Sequence, residues 1–385
     1  MRLLIDSPAF MEQLEHDLGQ ATRSVCVQTM SFEGDDAGRR LARLLIGRKD
    51  LERTLIIDRY SLFYLNDRFL PTPWNVVSAS LWRELGQTLR LVRQLQRDGV
   101  DVCWTNPVGL LLRRFVSRNH KKSVLIDDRI AYFGGVNFCD HNFGWHDVML
   151  RVEDERVGAF LREDIRATLR GENLSTRRDF GDIEIVLLDG AQNPRLNEPI
   201  LQLIRDARES IVVQSAYLSF PFYEHLAQAV RRGVAVTLLA PERNNKPKMN
   251  AYTQWAAADA GVTLRLYSGG MSHIKAMLVD DTALVTGSSN FDFLSFQVQQ
   301  EVVAIVRSRP VIEQYRRDVL EPDLARCVGP TRAISPSWQR WRERGFRAGA
   351  RVAVALHRLQ SAGELRRKHE ALQTTAGRIT PGPGS

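Results

Sequence analysis

Paired cysteines are missing from this chain. Its four cysteines, Cys26, Cys103, Cys139 and Cys327, are scattered, and none stands in a C-x-x-C pair. A disulfide framework or a zinc finger needs such pairs, so the sequence indicates neither. The thiols are expected to be small apolar fillers in a reducing compartment. Histidines and carboxylates likewise show no metal-ligand spacing, so neither a metal nor another cofactor is expected.

Long apolar runs are missing as well. No run approaches the roughly 18 apolar residues that can span a bilayer. Asp6 interrupts the apolar start of the chain, where a signal peptide would continue. The 385 residues are 44% hydrophobic and 25% charged, which is typical of a folded globular protein. We therefore expect no signal peptide or transmembrane helix, and a peripheral location at the cytoplasmic face of the cell membrane.

Lysine is also scarce, since only seven of the 53 basic residues are lysines. Two of the seven, Lys122 and Lys275, occupy the same place in a repeated motif. This indicates that a compact point charge is needed there. The formal net charge of +8 favours an anionic partner, either an acidic membrane surface or nucleic acid.

The sequence contains one motif twice. The pattern H-x-K-x4-D is followed each time by a glycine and an asparagine. The first copy consists of His120, Lys122, Asp127, Gly134-Gly135 and Asn137, and the second of His273, Lys275, Asp280, Gly287-Ser288 and Asn290. One copy would be a weak signal, but two copies in register indicate a single site built by two halves.

The order of strands and helices predicted around the first motif returns around the second. Such alternation predicts an α/β fold of two tandem α/β/α sandwich repeats related by a pseudo-twofold axis. Each repeat is expected to have a mixed central sheet, and the active site is expected at their interface. The predicted parts are a first repeat at 1–170, a linker at 171–181, a second repeat at 182–328 and a basic Trp/Arg-containing tail at 329–385 whose last part is expected to be disordered. The first half also carries two insertions, around 60–85 and 108–118.

The motif's residue types suit attack on a phosphodiester. Side chains two apart on a strand share a face, so each motif His and Lys project together and Asp127 and Asp280 project away as structural residues. One imidazole can attack phosphorus while the other protonates the leaving alkoxide. The lysines, together with Asn137, Asn290, Gly135 and Ser288, are expected to bind the phosphate and substrate.

Each catalytic imidazole also needs an acceptor that orients it. Asp147 and Glu301 stand at equivalent places in the two halves, at the starts of predicted strands. A twofold arrangement would allow each carboxylate to serve the histidine of the opposite half. The alternative is that both are surface carboxylates at strand ends. His141 and His146 have no counterparts in the second half and are interpreted as structural or peripheral.

The doubled motif resembles that of the phospholipase D superfamily, and the resemblance covers roughly residues 1–325. Within it the chain is most similar to bacterial cardiolipin synthases that lack N-terminal transmembrane helices, through Gln28-Thr-Met-Ser-Phe, Gly233–Pro241 and Asn244-Asn245. The resemblance implies metal-independent transfer of a phosphatidyl group through phosphohistidine, to an alcohol or to water. For a cardiolipin synthase, two phosphatidylglycerol molecules give cardiolipin and glycerol. His120 as nucleophile and His273 as acid are also implied by the resemblance.

Two other functions are also compatible with the sequence. A nuclease of the same superfamily would use the same chemistry on nucleic acid, although two motifs and apolar insertions favour lipid. A binding scaffold without activity is the third interpretation, which the intact motifs disfavour. Leu110–Phe115 and the Trp/Arg tail are the segments expected to contact an anionic membrane, and no obligate protein partner is implied.

Overall fold

The computed structural model describes residues 1–109, 114–330, 343–352 and 354–355. The chain divides into two units, Met1–Gln339 and Arg340–Ser385. In the second unit residues 343–352 are helical. Most of the segments expected to contact membrane, 110–113 in the insertion and most of the tail, lie outside the described residues.

The first half is a mixed sheet with helices on both sides. Its main strands are β1 (Arg2–Ile5), β2 (Ser24–Thr29), β3 (Glu52–Asp58), β6 (Asp101–Thr105), β7 (Ser123–Ile126), β8 (Ile130–Gly134) and β9 (Val148–Glu153), and β4 (Tyr64–Leu65) and β5 (Arg68–Phe69) form a separate hairpin. The helices are α1 (Asp6–Gly19), α2 (Asp36–Gly47), α3 (Pro73–Val76), α4 (Ala79–Arg97), α5 (Asp140–Phe143) and α6 (Glu155–Leu169).

The second half repeats this plan. Its strands are β10 (Thr176–Asp179), β11 (Ile183–Asp189), β12 (Ser210–Ser215), β13 (Ala235–Pro241), β14 (Thr263–Tyr267), β15 (Lys275–Val279), β16 (Ala283–Gly287), β17 (Gln300–Val306) and β18 (Cys327–Val328). Its helices are α7 (Asn193–Leu196), α8 (Glu198–Asp206), α9 (Phe222–Arg231), α10 (Pro247–Asp259), α11 (Phe293–Gln297), α12 (Arg309–Tyr315) and α13 (Glu321–Ala325), with a π-helical turn over Arg316–Leu320 between the last two.

The strand order shows the duplication directly. The first sheet runs β1-β9-β8-β7-β2-β3-β6, and the second runs β10-β11-β17-β16-β15-β12-β13-β14-β18. Apart from the two added edge strands, each position in one sheet has its counterpart in the other. In both sheets the motif strand, β7 or β15, is antiparallel to its neighbours, whereas β2-β3-β6 and β12-β13-β14 are parallel. The predicted pair of mixed-sheet sandwiches is therefore confirmed.

One hydrophobic core joins the two sheets. It contains buried side chains from the first half, such as Leu125, Phe133 and Leu150, together with Ala276 and Val302 from the second. Alternate residues of a strand face opposite sides of its sheet. The face of each sheet that points away from the shared core packs against helices of its own half, which gives two further cores. The interface at which the active site was predicted is thus a packed core.

The structure adds two details to the sequence-based prediction. Part of the predicted linker is strand β10, whose residues pair with β11 from Thr176 opposite Leu187 onwards. The insertion around 60–85 is also structured, because it contains the β4-β5 hairpin, α3 and the start of α4. Within the described residues, no helix combines the length and apolar character needed to cross a bilayer.

The motif aspartates close the ends of the motif strands. Asp127 accepts hydrogen bonds from the backbone N–H groups of Thr22, Arg23 and Ser24 at 2.8, 2.8 and 2.9 Å. Asp280 does the same for the three backbone N–H groups of 208–210, each at 2.9 Å. These bonds tie the end of β7 to the start of β2 and the end of β15 to the start of β12, so both carboxylates serve the sheet rather than the site.

Candidate active site

The backbone of each motif pairs with the opposite half. The His120 N–H donates to the Gln300 carbonyl at 2.9 Å, and the His273 N–H donates to the His146 carbonyl at 2.7 Å. Gln300 and His146 each stand one residue before the carboxylate assigned to orient a histidine. The crossed pairing therefore carries each carboxylate to the histidine of the other half.

Both histidines meet a buried carboxylate through Nδ1. His120 Nδ1 lies 2.9 Å from Glu301 Oε1 and 3.0 Å from Oε2, and His273 Nδ1 lies 2.7 Å from Asp147 Oδ2. Glu301 is 0% exposed and Asp147 is 2% exposed, which rules out the alternative of surface carboxylates at strand ends. With Nδ1 engaged as a donor, each imidazole keeps Nε2 for chemistry.

The motif lysines are buried beside these histidines. Lys122 Nζ donates to the carbonyl of His120 at 2.7 Å, and Lys275 Nζ donates to the carbonyl of His273. Each ammonium has three donors, so one bond to its own strand leaves others for a bound anion. Both lysines are 1% exposed.

Burial and mutual repulsion set the protonation of the four groups. Burial lowers the pKa of His120 to about 4 and that of His273 to about 3, and the lysine charges add to this effect. Burial lowers the pKa of Lys122 to about 7, and repulsion from the Lys275 ammonium contributes. Burial also lowers the pKa of Lys275, to about 8. Since each lysine lowers the pKa of the opposite half's histidine, the four side chains act on one site.

The two carboxylates stay ionised in this environment. Burial alone would raise the pKa of Asp147, but the charge of Lys275 and the hydrogen bond from His273 outweigh it and hold the pKa below its ordinary value. Burial is likewise outweighed at Glu301, where His120 and Lys122 lower the pKa. Neutral imidazoles therefore face ionised acceptors, as an orienting hydrogen bond requires.

Gly135 and Ser288 have a different role from the predicted contact with phosphate. A Cβ added at Gly135 would lie 2.1 Å from Asp147 Oδ1, so the absence of a side chain makes room for that carboxylate. Ser288 is 0% exposed and donates its hydroxyl to Glu301 at 2.5 Å. Both residues thus position the orienting carboxylate of their own half.

The two motif asparagines are not equivalent. The Asn137 amide oxygen accepts from the Ser31 N–H at 3.1 Å, and its amide nitrogen donates to Asn142 at 2.6 Å, so it holds a loop of the first half. Asn290 is 6% exposed, and its amide oxygen lacks a hydrogen-bond partner within the part of the chain that the structure describes. Of the two, Asn290 is the one that keeps a buried acceptor unpaired among the described residues, so its binding to substrate stays a prediction.

The chain is similar in sequence to known cardiolipin synthases. Residues 200–321 match the family model described as cardiolipin synthase, PLD-like domain. The chain is 28% identical over 250 residues to cardiolipin synthase 1 of Staphylococcus epidermidis, covering 57% of this chain and 50% of the relative. It is 29% identical over 253 residues to a cardiolipin synthase of Staphylococcus aureus, covering 58% of this chain and 50% of that relative. The chain thus spans about half the length of the curated relatives it matches.

A solved structure has the same overall arrangement. Phosphatidylserine synthase from Haemophilus influenzae superposes with a TM-score of 0.64 at 14% identity, over 92% of this chain and 95% of that one. Residues 200–321 are therefore similar to the PLD-like domain of cardiolipin synthases, and the fold is similar to that of the phosphatidylserine synthase. Both copies of the repeated motif lie in equivalent strands of two equivalent sheets.

Lys246 is a residue near this site that the motif did not reveal. Its Nζ lies 5.6 Å from the ring centroids of both Tyr64 and Tyr217. Burial lowers the pKa of Lys246, and its charge contributes to the lowered pKa of Lys275. Tyr64 belongs to the first half's insertion, so the insertion reaches the second half near the motif. The scarcity of lysine in the sequence was the one signal that could have singled out Lys246.

His146 is structural, but its surroundings are unusual. Its Nδ1 lies 2.7 Å from Asp6 Oδ1, and its Nε2 lies 3.0 Å from Asp323 Oδ2. Burial opposes the charge, yet the two carboxylates outweigh it and raise the pKa of His146 to about 10. The imidazolium therefore joins the start of α1 to α13.

Proposed function

We propose that this protein is a phosphatidyltransferase of the cardiolipin synthase type, which converts two phosphatidylglycerol molecules into cardiolipin and glycerol. The observation that carries the proposal is the pair of buried histidine–carboxylate contacts, 2.7 and 2.9 Å long, each formed across the two halves beside a buried lysine. The similarity to cardiolipin synthases supports the choice of lipid. Hydrolysis by water is the competing outcome at the same site.

In the first step His120 Nε2 attacks phosphorus as the bond to the glycerol headgroup breaks. His273 gives its proton to the departing glycerol oxygen, and the two lysines stabilise the charge that gathers on the phosphoryl oxygens. The negative charge of the bound phosphodiester offsets the burial that keeps free His273 neutral, so His273 acquires its proton as substrate binds. The result is phosphatidyl-His120 and free glycerol.

In the second step the headgroup hydroxyl of another phosphatidylglycerol attacks the phosphohistidine. Neutral His273 takes the proton of that hydroxyl, and the bond between phosphorus and His120 breaks. Cardiolipin leaves, His273 returns its proton to solvent and becomes neutral again, and binding of the next phosphodiester restores that proton. Water in place of the lipid hydroxyl would give phosphatidic acid.

An exposed apolar surface on the insertion supports peripheral contact with an acidic membrane. Trp74, Val76, Val77 and Trp82 are 86%, 44%, 77% and 49% exposed, and we call them the 74–82 patch. Trp and Val at a surface partition into the boundary between headgroups and acyl chains. Exposed arginines of α4, such as Arg83 and Arg90, add attraction to anionic headgroups.

The test is product analysis by mass spectrometry with phosphatidylglycerol vesicles. The wild type is expected to form cardiolipin and glycerol, and His120→Ala is expected to lose at least about 10³-fold in rate because the nucleophile is absent. His225→Ala is the matched control, since His225 lies on α9 and has no place in the site. Cleavage of DNA or RNA with no lipid product would replace this proposal with a nuclease.

A further inference from the structure

A thiol, an imidazole and a carboxylate meet in the first half outside the reaction described above. Glu33, Cys139 and His141 place one potential ligand atom each within 4.8 Å of one another. Cys139 Sγ lies 3.7 Å from His141 Nε2, and Glu33 Oε1 lies 3.8 Å from His141 Nδ1. Cys139 is 0% exposed and Glu33 is 1% exposed, so two of the three atoms are shielded from solvent.

These separations fit coordination of a small divalent ion. Zinc bonds of about 2.3 Å to sulfur and about 2.0–2.1 Å to nitrogen place two tetrahedral ligands roughly 3.6 Å apart. The Cys139–His141 distance of 3.7 Å already matches this value. One nitrogen of the imidazole lies within 4.8 Å of both the thiol sulfur and a carboxylate oxygen.

Acidic side chains crowd around the cluster. Glu33 is hydrogen-bonded to the side chain of Glu84, and both Glu33 and Cys139 are buried. A divalent cation bound to the carboxylate and the thiolate would compensate the negative charge that they carry as ligands.

We propose that Glu33, Cys139 and His141 bind a divalent transition-metal ion of the zinc class. Thiolate and imidazole select such ions over magnesium and calcium, which prefer oxygen ligands. Glu84, which hydrogen-bonds Glu33, or a water molecule completes a four-coordinate set. The proposal does not depend on the lipid reaction.

The position of the cluster indicates a structural role for the ion. Glu33 lies in the loop after β2 and accepts from the backbone N–H of Asn66 in the insertion. His141 packs edge-on against Trp145 with ring centroids 5.3 Å apart, and Trp145 lies 5.1 Å from the ring of His273. An ion here would therefore join the insertion to the loop that leads into Asp147.

The ion can be detected without any activity measurement. Protein purified without chelator from zinc-supplemented medium is expected to contain about one equivalent of zinc per chain by elemental analysis. The cobalt-substituted protein is expected to show thiolate-to-cobalt charge transfer in the near ultraviolet. Both signals should fall at least tenfold in Cys139→Ser and His141→Ala. Cys103→Ala, which removes another free cysteine, should retain both.

Two results would overturn the proposal. One is less than about a tenth of an equivalent of metal in zinc-saturated wild type together with no charge-transfer band. The other is loss of both signals in Cys103→Ala to the same extent as in Cys139→Ser. If Cys139→Ser fails to fold, His141→Ala decides the question, because the partly exposed His141 side chain is 20% accessible and tolerates truncation better.

Discussion

The four titrating side chains of the site determine the pH range in which it can work. In the proposed reaction the neutral form of His120 attacks phosphorus, and the pKa of His120 is lowered to about 4 by burial. The charged forms of Lys122 and Lys275 are needed to hold the phosphate, and burial lowers their pKa values to about 7 and 8. The pH range in which His120 is neutral and both lysines are charged therefore lies lower than it would for a histidine and lysines with ordinary pKa values.

We expect kcat/KM to show no loss on the acid side down to about pH 5 and to fall most steeply above about pH 7 to 8, where loss of the ammonium charges adds to the proton that His273 must take up. The loss of activity on the acid side occurs only at low pH, because His120 is already neutral at about pH 5. The loss on the alkaline side follows from deprotonation of the two ammonium groups. The measurement is a kcat/KM profile from pH 4.5 to 9.5 on phosphatidylglycerol, whose phosphodiester does not titrate in this range. An acid limb near about 6.5, the ordinary value for histidine, would contradict the burial argument.

His146 allows a stability prediction at the same scale. Its pKa is raised to about 10 in the folded protein from an ordinary value of about 6.5. Its stabilising contribution is therefore complete below about pH 6.5 and disappears as the pH rises towards 10. We expect His146→Gln to be less stable than wild type at pH 6, with the difference shrinking by pH 10.

The glutamine is the conservative choice, because Gln300 occupies the equivalent place in the second half. Comparing the two proteins at each pH cancels the effect of the buried lysines, which is common to both. Thermal unfolding at pH 6, 8 and 10 is the measurement. A difference that stays constant across this range would mean that His146 is not charged in the folded protein.

At the scale of the strands, the orienting carboxylates depend on what lies at the ends of β8 and β16. The first half leaves space for Asp147 with Gly135, and the second half supplies a hydroxyl to Glu301 with Ser288. The first half thus positions its carboxylate through the close approach that a glycine allows, and the second half positions its carboxylate through a hydrogen bond from a serine.

Gly135→Ala is expected to reduce kcat by about 10²–10⁴, because a Cβ 2.1 Å from Asp147 Oδ1 must displace the group that orients His273. Ser288→Ala should cost only about tenfold, since Glu301 still accepts from Ser295 at 2.9 Å. Steady-state kinetics with thermal unfolding of both variants is the measurement. Equal losses in the two would contradict the proposed division of roles.

The motif strands also show how far sequence reasoning reached. The repeated H-x-K-x4-D, placed on two equivalent strands, led to His120, His273 and their partners because a duplicated chain forces equivalent residues to a shared axis. Strands β8 and β16 were not predicted, since their short apolar runs end in the glycine motif. The distinct roles of Gly135, Ser288 and Asn137 were also out of reach. They depend on separations of 2–3 Å between segments that only the fold brings together.

For the proposed reaction, the molecule as a whole has to bring a lipid phosphodiester to a buried site. The site's histidines and lysines are each at most 7% exposed, so the phosphodiester has to enter a largely enclosed site. The insertion contributes both Tyr64, which lies against Lys246, and the 74–82 patch. It therefore connects the exposed apolar surface to the vicinity of the motif.

We expect the double variant Trp74→Ser, Val77→Asp to bind vesicles of anionic phospholipid about tenfold more weakly than wild type. The change removes apolar area that would enter the headgroup boundary and adds a repelling charge. Vesicle sedimentation over a range of lipid concentrations is the measurement. Activity on a short-chain, monomeric phosphatidylglycerol should be retained, because neither residue belongs to the site.

Leu169→Asp is the matched control for that experiment. Leu169 is another exposed apolar residue, 38% accessible, at the end of α6 and outside the insertion. It adds the same charge without touching the 74–82 patch, so its vesicle binding should stay close to that of wild type. If Leu169→Asp weakens binding as much as the double variant, the effect is one of net charge and the patch is not the membrane-contacting surface. If neither variant changes binding, the contact lies elsewhere on the protein.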